Sequence, residues 1–121
     1  MSDIPIITAY AGIPVADIDE AVEWYGRFFD RAADLRPLHE IAEWLLNEGA
    51  MLQLVERPAT AGSGFLRLEV ADIDAAVAIL VERGFAAPVI DEYPGIVRTA
   101  EYTDPFGNEI SYVQSLLDDL P

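Results

Sequence analysis

Few side chains in this sequence could carry out chemistry, and the single histidine, His39, is the first candidate. It stands beside Glu40 in a short predicted strand, and an imidazole near neutral pH could act as a general base. The alternative, which we favour, is an exposed strand histidine with an incidental acidic neighbour. Cysteine is absent, which excludes a thiol nucleophile, a zinc ribbon and a disulfide scaffold. No Ser-His-Asp order is present, and Gly62-Ser63-Gly64 is too short to cradle a phosphate.

Charge and composition exclude several kinds of partner. The 121 residues include 22 acidic and 7 basic side chains, which gives a formal net charge of −15. Seven basic side chains cannot neutralise a run of phosphates. Nucleic acid and anionic membrane surfaces are therefore poor partners. The hydrophobic fraction of 52% predicts a packed core, and this length predicts one domain over 1–121. No membrane-spanning run or basic leader is present, so we expect a cytoplasmic protein.

An internal repeat organises the chain. The segment 15–22, Val-Ala-Asp-Ile-Asp-Glu-Ala-Val, recurs at 70–77 with one substitution. The repeat divides the sequence into modules of about 4–57 and 62–115, which a Pro- and Gly-containing linker joins. Each module predicts a strand and then an amphipathic helix, with Asp17 or Asp72 as its N-cap.

Three shorter strands follow each predicted helix. The predicted strands are 6–15, 35–39, 41–47, 50–56, 65–70, 86–91, 96–103 and 108–115. The segment 104–108, Asp-Pro-Phe-Gly-Asn, joins the last two strands. It is predicted to be a turn because Pro presets φ and Gly permits positive φ. The helices would cover one face of each sheet and leave the opposite, curved face free. Trp24 lies off the apolar stripe of its helix. It could therefore be either a dimer contact or a plain surface residue.

These features resemble the vicinal oxygen chelate superfamily, which includes glyoxalase I, extradiol dioxygenases and bleomycin-resistance proteins. The resemblance rests on the doubled module, on Val-x-Asp-Ile-Asp at the start of each helix and on the Asp-Pro-Phe-Gly-Asn-Glu-Ile segment 104–110. It covers about 6–115. It implies an α+β fold in which two βαβββ modules form a mixed-sheet cleft of the glyoxalase/bleomycin-resistance type, commonly completed in a homodimer. One fold here hosts several chemistries, so the resemblance is specific for fold and weak for function.

Most enzymes of this family hold a divalent metal in the cleft through four strand positions, usually His, Gln or Glu. The family's motifs place those positions at Tyr10, Gln53, Phe65 and Ser111. Phe65 has no lone pair, and Ser111 and neutral Tyr10 are poor ligands for hard or borderline cations. Glu109 could face inward, but one carboxylate without partners is not a site. We therefore expect neither a metal nor another cofactor.

Aromatic and polar side chains are expected to line the cleft instead, as a small-molecule pocket requires. Side chains alternate along a strand, so Tyr10 and Gln53 face the cleft, and Phe65 and Arg67 do so in the second module. A two-residue hairpin at Glu48-Gly49 would pair Trp44 with Gln53 and turn Trp44 inward as well. The predicted ligand-binding residues are Tyr10, Trp44, Met51, Gln53, Phe65, Arg67, Thr99, Glu101 and Ser111. A register slip in the second hairpin would bring in Ala100 and Tyr102 instead of Thr99 and Glu101.

Two functions of different classes remain open. The first is a metal-free protein that binds and sequesters a cationic or aromatic compound, similar to the bleomycin-resistance members. The second is a lyase, isomerase or dioxygenase of the superfamily, with atypical metal ligands or metal-free catalysis through Glu101 or Tyr10. A third interpretation is that the aromatic rings simply fill a closed, vestigial cleft. We expect a homodimer, because the modules leave sheet edges and apolar surface that a symmetric partner covers.

Overall fold

The computed structural model describes residues 4–117, which form two four-stranded mixed sheets and two helices. The first module contains, in chain order, β1 (Ala9–Val15), α1 (Ile18–Phe29), β2 (Leu35–Leu38), β3 (Ile41–Asn47) and β4 (Ala50–Glu56). The second contains β5 (Phe65–Glu69), α2 (Ile73–Glu82), β6 (Ile90–Tyr93), β7 (Val97–Thr103) and β8 (Glu109–Ser115). The predicted α+β fold, with its strand, helix and three strands written twice, is confirmed.

The two sheets share one topology. Their strand orders are β1-β4-β3-β2 and β5-β8-β7-β6, in which only the β1–β4 and β5–β8 pairs are parallel. The edge strands are therefore β1 and β2 in the first sheet and β5 and β6 in the second. β1 starts at Ala9 rather than at residue 6, because its partner β4 extends only to Ala50. β6 lies at Ile90–Tyr93 rather than 86–91, since the turn that follows pairs Tyr93 with Val97.

Both helices begin where the sequence predicts. The carboxylate of Asp17 accepts a hydrogen bond from the backbone N–H of Glu20, and that of Asp72 accepts one from Ala75, each at 3.1 Å. These N-caps satisfy backbone donors that have no partner within the helix. With 12 residues in α1 and 10 in α2, neither helix in the described part of the chain is long enough to cross a bilayer.

A single hydrophobic core joins the modules, and α1 lies within it. Phe28 stacks on Tyr112 of the second sheet at a centroid distance of 5.9 Å, while Tyr25 meets Trp44 of the first sheet at 6.2 Å. Trp24 stacks on Phe28 at 5.0 Å, so it packs at the margin of this core instead of standing free on the surface. The apolar face of α1 is wide because the helix packs against both sheets.

A buried hydrogen-bond network at the turn between β7 and β8 also ties the modules together. The side-chain amide of Asn108 donates to the carbonyl of Pro14 and to the carboxylate of Asp104, and its oxygen accepts from the N–H of Gly64, each at 2.8 Å. The hydroxyl of Tyr25 donates to Asp104 at 2.7 Å. Burial and the nearby carboxylate raise the pKa of Tyr25 above its usual value of 10.0, so this donor keeps its proton.

Candidate functional site

Each sheet packs one face on the helices and leaves the other face open. On β1, Ile13 and Val15 are buried toward the helices, whereas Tyr10 is 54% exposed on the opposite face. On β5, Leu66 is buried, whereas Phe65 is 64% exposed. The predicted alternation of cleft-facing and core-facing residues is therefore correct for the first strand of both modules.

A polar row crosses the open face of the first sheet. Gly12 of β1 pairs with Gln53 of β4, which in turn pairs with Glu43 of β3. The Gln53 Nε2 atom donates to Glu43 Oε2 at 2.7 Å. The glutamate is only 4% exposed, and no basic side chain within residues 4–117 forms an ion pair with it.

The glycine in this row leaves a hollow on the sheet surface. A Cβ placed on Gly12 would meet no atom within 4 Å. A small cavity of about 210 Å³ lies here, between the sheet and the start of the linker. Its lining residues are Gly12, Ile13, Pro14, Gln53, Val55, Arg57 and Thr60. The first sheet thus places an amide side chain beside an open space.

The equivalent row of the second sheet runs from Arg67 through Ser111 to Glu101. Ser111 is buried and its hydroxyl donates to Glu109 at 3.2 Å, while Arg67 lies over the ring of Phe65 at 5.6 Å. Glu101 is exposed on the open face, with Thr99 two residues before it. The predicted register of this hairpin is confirmed, since Ala100 and Tyr102 lie in the core.

Trp44 does not lie where the sequence reasoning places it. β3 contains one extra residue between Leu45 and Asn47, so Trp44 pairs with Leu52 and not with Gln53. The indole is 0% exposed, packs against Tyr25 and donates to the carbonyl of Arg31 at 3.0 Å. The prediction that Trp44 faces the cleft is wrong, because one additional residue moves the side chains beyond it to the other face.

The same shift brings Glu43, which is not among the predicted site residues, to the open face. A signal for it exists in the internal repeat. Glu43 precedes Gln53 by the same number of residues as Glu101 precedes Ser111, and both glutamates pair directly with those residues. Both modules therefore carry a carboxylate at the same place on the open face.

A larger cavity, of about 660 Å³, opens between the edge strands β1 and β5. Its volume lies in the range of roughly 300–1,000 Å³ that is typical of small-molecule sites. Phe29, Leu46 and Leu68 contribute apolar surface, and of the nine predicted site residues, Tyr10 and Arg67 line it. The cavity also reaches the helix side of β5, where Leu66 and Leu68 lie. Outside its lining, the open faces carry the other predicted residues that are exposed or partly exposed, Met51, Gln53, Phe65 and Glu101.

The side chains at the four family metal positions do not fit a divalent cation. Tyr10 and Gln53 lie on the first sheet, and Phe65 and Ser111 on the second, and the set contains no carboxylate, imidazole or thiolate. The Ser111 hydroxyl is already a donor to Glu109. Across residues 4–117, no group of three or more histidine or acidic side chains could hold a metal ion.

His39 lies in the turn between β2 and β3 rather than in a strand, and its side chain is exposed. Its backbone carbonyl accepts a hydrogen bond from Arg36 at 2.7 Å. The imidazole lies outside both cavities described above. These observations agree with the interpretation of His39 as a surface residue.

Comparison with known proteins relates this chain to solved structures. A glyoxalase/bleomycin resistance protein from Catenulispora acidiphila DSM 44928 is 35% identical, with a TM-score of 0.82 over 90% of this chain and 98% of that one. TnmS3, an antibiotic binding protein from Streptomyces sp. CB03234, is 27% identical, with a TM-score of 0.75 over 95% and 99%. A bleomycin-binding protein solved with bleomycin shares the fold at 19% identity and a TM-score of 0.65, over 89% and 98%. A search of the curated proteins returned no match.

A family model agrees with the structural likeness. It matches residues 7–112, which include both helices and all but the last residues of β8. The doubled βαβββ arrangement and the turn 104–108 both fall within this range. The chain therefore belongs to the glyoxalase/bleomycin resistance protein/dioxygenase superfamily.

Proposed function

We propose that this chain binds a small molecule without the help of a metal ion. The observation that carries this proposal is the chemistry of the four family metal positions, where Tyr10, Gln53, Phe65 and Ser111 supply no charged ligand. A cavity large enough for a small molecule lies beside the first of them. The likeness to TnmS3, which is described as an antibiotic binding protein, supports a binding role over a catalytic one.

The aromatic lining of the 660 Å³ cavity favours a planar aromatic ligand, and the net charge of the whole chain favours a cationic one. Three aromatic rings line the cavity, those of Tyr10, which is exposed, and of Phe29 and Tyr112. A stacked ring contact contributes roughly 0.5–1.5 kcal/mol beyond the burial of area. Glu69 lines the cavity together with Arg67 and Arg31, of which Arg31 is ion-paired with Asp34, so the attraction for a cation comes from the net charge of −15 and not from the lining.

Ligand binding is tested by isothermal titration calorimetry on chelator-treated protein, with a panel of aromatic and cationic compounds that includes bleomycin. We expect micromolar affinity for at least one compound, corresponding to about −8 kcal/mol. Tyr10→Ala should weaken that binding about fivefold, since it removes a ring contact worth about 1 kcal/mol. Tyr93→Ala is the matched control, because Tyr93 is also an exposed strand tyrosine but lies outside the cavity.

Two results would contradict this function. One is binding that appears only after a divalent cation is restored, which would favour a metal-dependent enzyme with unusual ligands. The other is the absence of binding by every compound in the panel, which would favour a vestigial cleft. Equal loss of affinity in Tyr10→Ala and Tyr93→Ala would place the ligand elsewhere on the protein.

We also propose that the protein is a homodimer. The open faces carry exposed apolar side chains, such as Leu45 on the first sheet and Phe65 on the second. The strands β2 and β6 each have an outer edge that no strand in residues 4–117 pairs with. Unpaired edges and exposed apolar patches are features that a symmetric partner covers.

Light scattering coupled to size exclusion tests the dimer. At micromolar concentration we expect twice the chain mass of 13.3 kDa. Phe65→Glu should shift the protein toward the monomer, because it places a charge within an apolar contact. Glu92→Gln, on β6 and on the helix side of the sheet, serves as a control. A monomer mass for the unmodified protein at that concentration would refute the proposal.

A further inference from the structure

We infer that Glu43 is a positioning residue, which holds the side-chain amide of Gln53 so that its oxygen is presented to a ligand. The ligand group would occupy the hollow over Gly12 and would be an uncharged hydrogen-bond donor, a carboxamide N–H or a hydroxyl. This inference rests on the proposed binding function and adds to it a polar subsite, separate from the aromatic contacts of the larger cavity.

The orientation of the Gln53 amide follows from its partner. An ionised carboxylate only accepts hydrogen bonds, so with Glu43 ionised the group of Gln53 that lies 2.7 Å from Glu43 Oε2 is the NH₂. The opposite flip would place two oxygens in contact. Because the NH₂ points toward β3, the Oε1 atom lies on the side of the amide away from Glu43.

The space available to this oxygen is the hollow. β4 lies between β3 and β1, so the neighbour of Gln53 on the side opposite to Glu43 is Gly12. A Cβ on Gly12 would touch nothing within 4 Å, and both residues line the cavity of about 210 Å³. An acceptor at the wall of such a space binds a ligand donor.

The charges around the hollow favour an uncharged group. Arg57 lines the same cavity, and no described carboxylate forms an ion pair with it. A cationic ligand group would be repelled by this guanidinium, whereas the oxygen of a carboxamide could accept a hydrogen bond from it. A primary carboxamide therefore suits both walls, its N–H toward Gln53 and its oxygen toward Arg57.

Stability alone does not explain Glu43. A carboxylate that is 4% exposed and whose hydrogen-bonding side-chain partner is a neutral amide carries a desolvation cost that no cation offsets. Glutamine at this position would avoid that cost and keep a hydrogen bond. The charge does, however, specify one orientation of Gln53, and donation to a carboxylate strengthens the amide oxygen as an acceptor.

The test uses benzamide as the probe and N,N-dimethylbenzamide as its counterpart without an N–H donor. Titrations are followed in ¹⁵N-resolved NMR spectra, in which the side-chain amides come only from Gln53, Gln114, Asn47 and Asn108. We expect benzamide to shift the Gly12 backbone signal and the Gln53 side-chain signals. The dimethyl compound should bind about fivefold more weakly, the loss expected for one hydrogen bond.

Two glycine variants form a matched pair for the hollow. Gly12→Ala places a methyl group in it without a clash, so the fold should be retained while benzamide affinity falls about fivefold or more. Gly49→Ala also adds a methyl group in open space, but in the β3–β4 turn, and should bind benzamide as the unmodified protein does.

Glu43→Gln separates positioning from structure. It should reduce the preference for benzamide over the dimethyl compound toward unity, because the Gln53 amide is then free to flip, while affinity for the dimethyl compound stays constant. A purely structural role would lower both affinities together. Unchanged selectivity in Glu43→Gln, or unchanged benzamide binding in Gly12→Ala, overturns the inference, as does the absence of any shift at Gly12 and Gln53. Each of these negative results leaves binding of the aromatic and cationic panel compounds intact. The titrations with that panel therefore judge the proposed function separately.

Discussion

Asn108→Ala is expected to lower the free energy of unfolding by about 3–5 kcal/mol, as the loss of a buried polar network does. Asn108 is 0% exposed, and its amide contacts the backbone of Pro14 and Gly64 as well as the carboxylate of Asp104. Truncation removes a partner at once from a partly buried carbonyl, a partly buried N–H and the buried carboxylate of Asp104. Since domains of this size are stable by about 5–15 kcal/mol, the effect would be large.

Urea unfolding followed by circular dichroism measures this loss, with Asn47→Ala as the control. Asn47 makes one exposed hydrogen bond, to the N–H of Gly49, and its removal should cost less than about 1 kcal/mol. Equal stabilities for the two variants would show that the turn 104–108 merely reverses the chain. Tyr25→Phe, which removes one donor to Asp104, should give an intermediate loss.

Local signals made the architecture predictable. Asp17 and Asp72 cap helices through their own side chains, and the apolar spacing that follows them is a property of one helix. The repeat then placed the same elements twice. The turn 104–108 was predictable as a turn from Pro105 and Gly107, but its role in joining the modules was not. That role depends on Pro14 and Gly64, which lie far away in the sequence.

The candidate site was predictable only where the strand alternates clearly. In β7, Ala100, Glu101 and Tyr102 alternate between apolar and charged, and the predicted register is correct. In β3, Trp44, Leu45 and Leu46 are all apolar, so no pattern shows which of them faces the helices. The extra residue in that strand determines which side chains face the helices, and it places Glu43 instead of Trp44 on the open face.

The cavity between β1 and β5 could not be predicted from either module alone. Its walls combine Phe29 at the end of α1 with Leu68 of β5, and they meet because α1 packs on both sheets. The same packing accounts for Trp24, whose ring belongs to a face of α1 that a one-sheet helix would leave exposed. Contacts between modules depend on the tertiary arrangement, which the helical period does not describe.

Trp44→Ala is expected to destabilise the protein by about 3–5 kcal/mol, the usual cost of deleting a large buried aromatic side chain. The indole is 0% exposed, contacts the rings of Tyr25 and Phe29 and donates to Arg31, so its loss leaves both a cavity and an unpaired carbonyl. The hairpin register assumed from the sequence predicts the opposite, an intact fold with weaker ligand binding. Chemical denaturation therefore decides between the two positions of this ring.

Tyr10→Ala is the matched control for that experiment, because Tyr10 is an aromatic residue that does lie on the open face. Its removal should change the free energy of unfolding by less than about 1 kcal/mol, as for most exposed positions, while weakening ligand binding. Trp44→Ala should show the opposite pattern, a large loss of stability, with any loss of ligand binding only a consequence of it. The contrary result is a free energy of unfolding for Trp44→Ala within about 1 kcal/mol of that of the unmodified protein. The ring would then not support the core, and Trp44 would replace Glu43 as a candidate site residue.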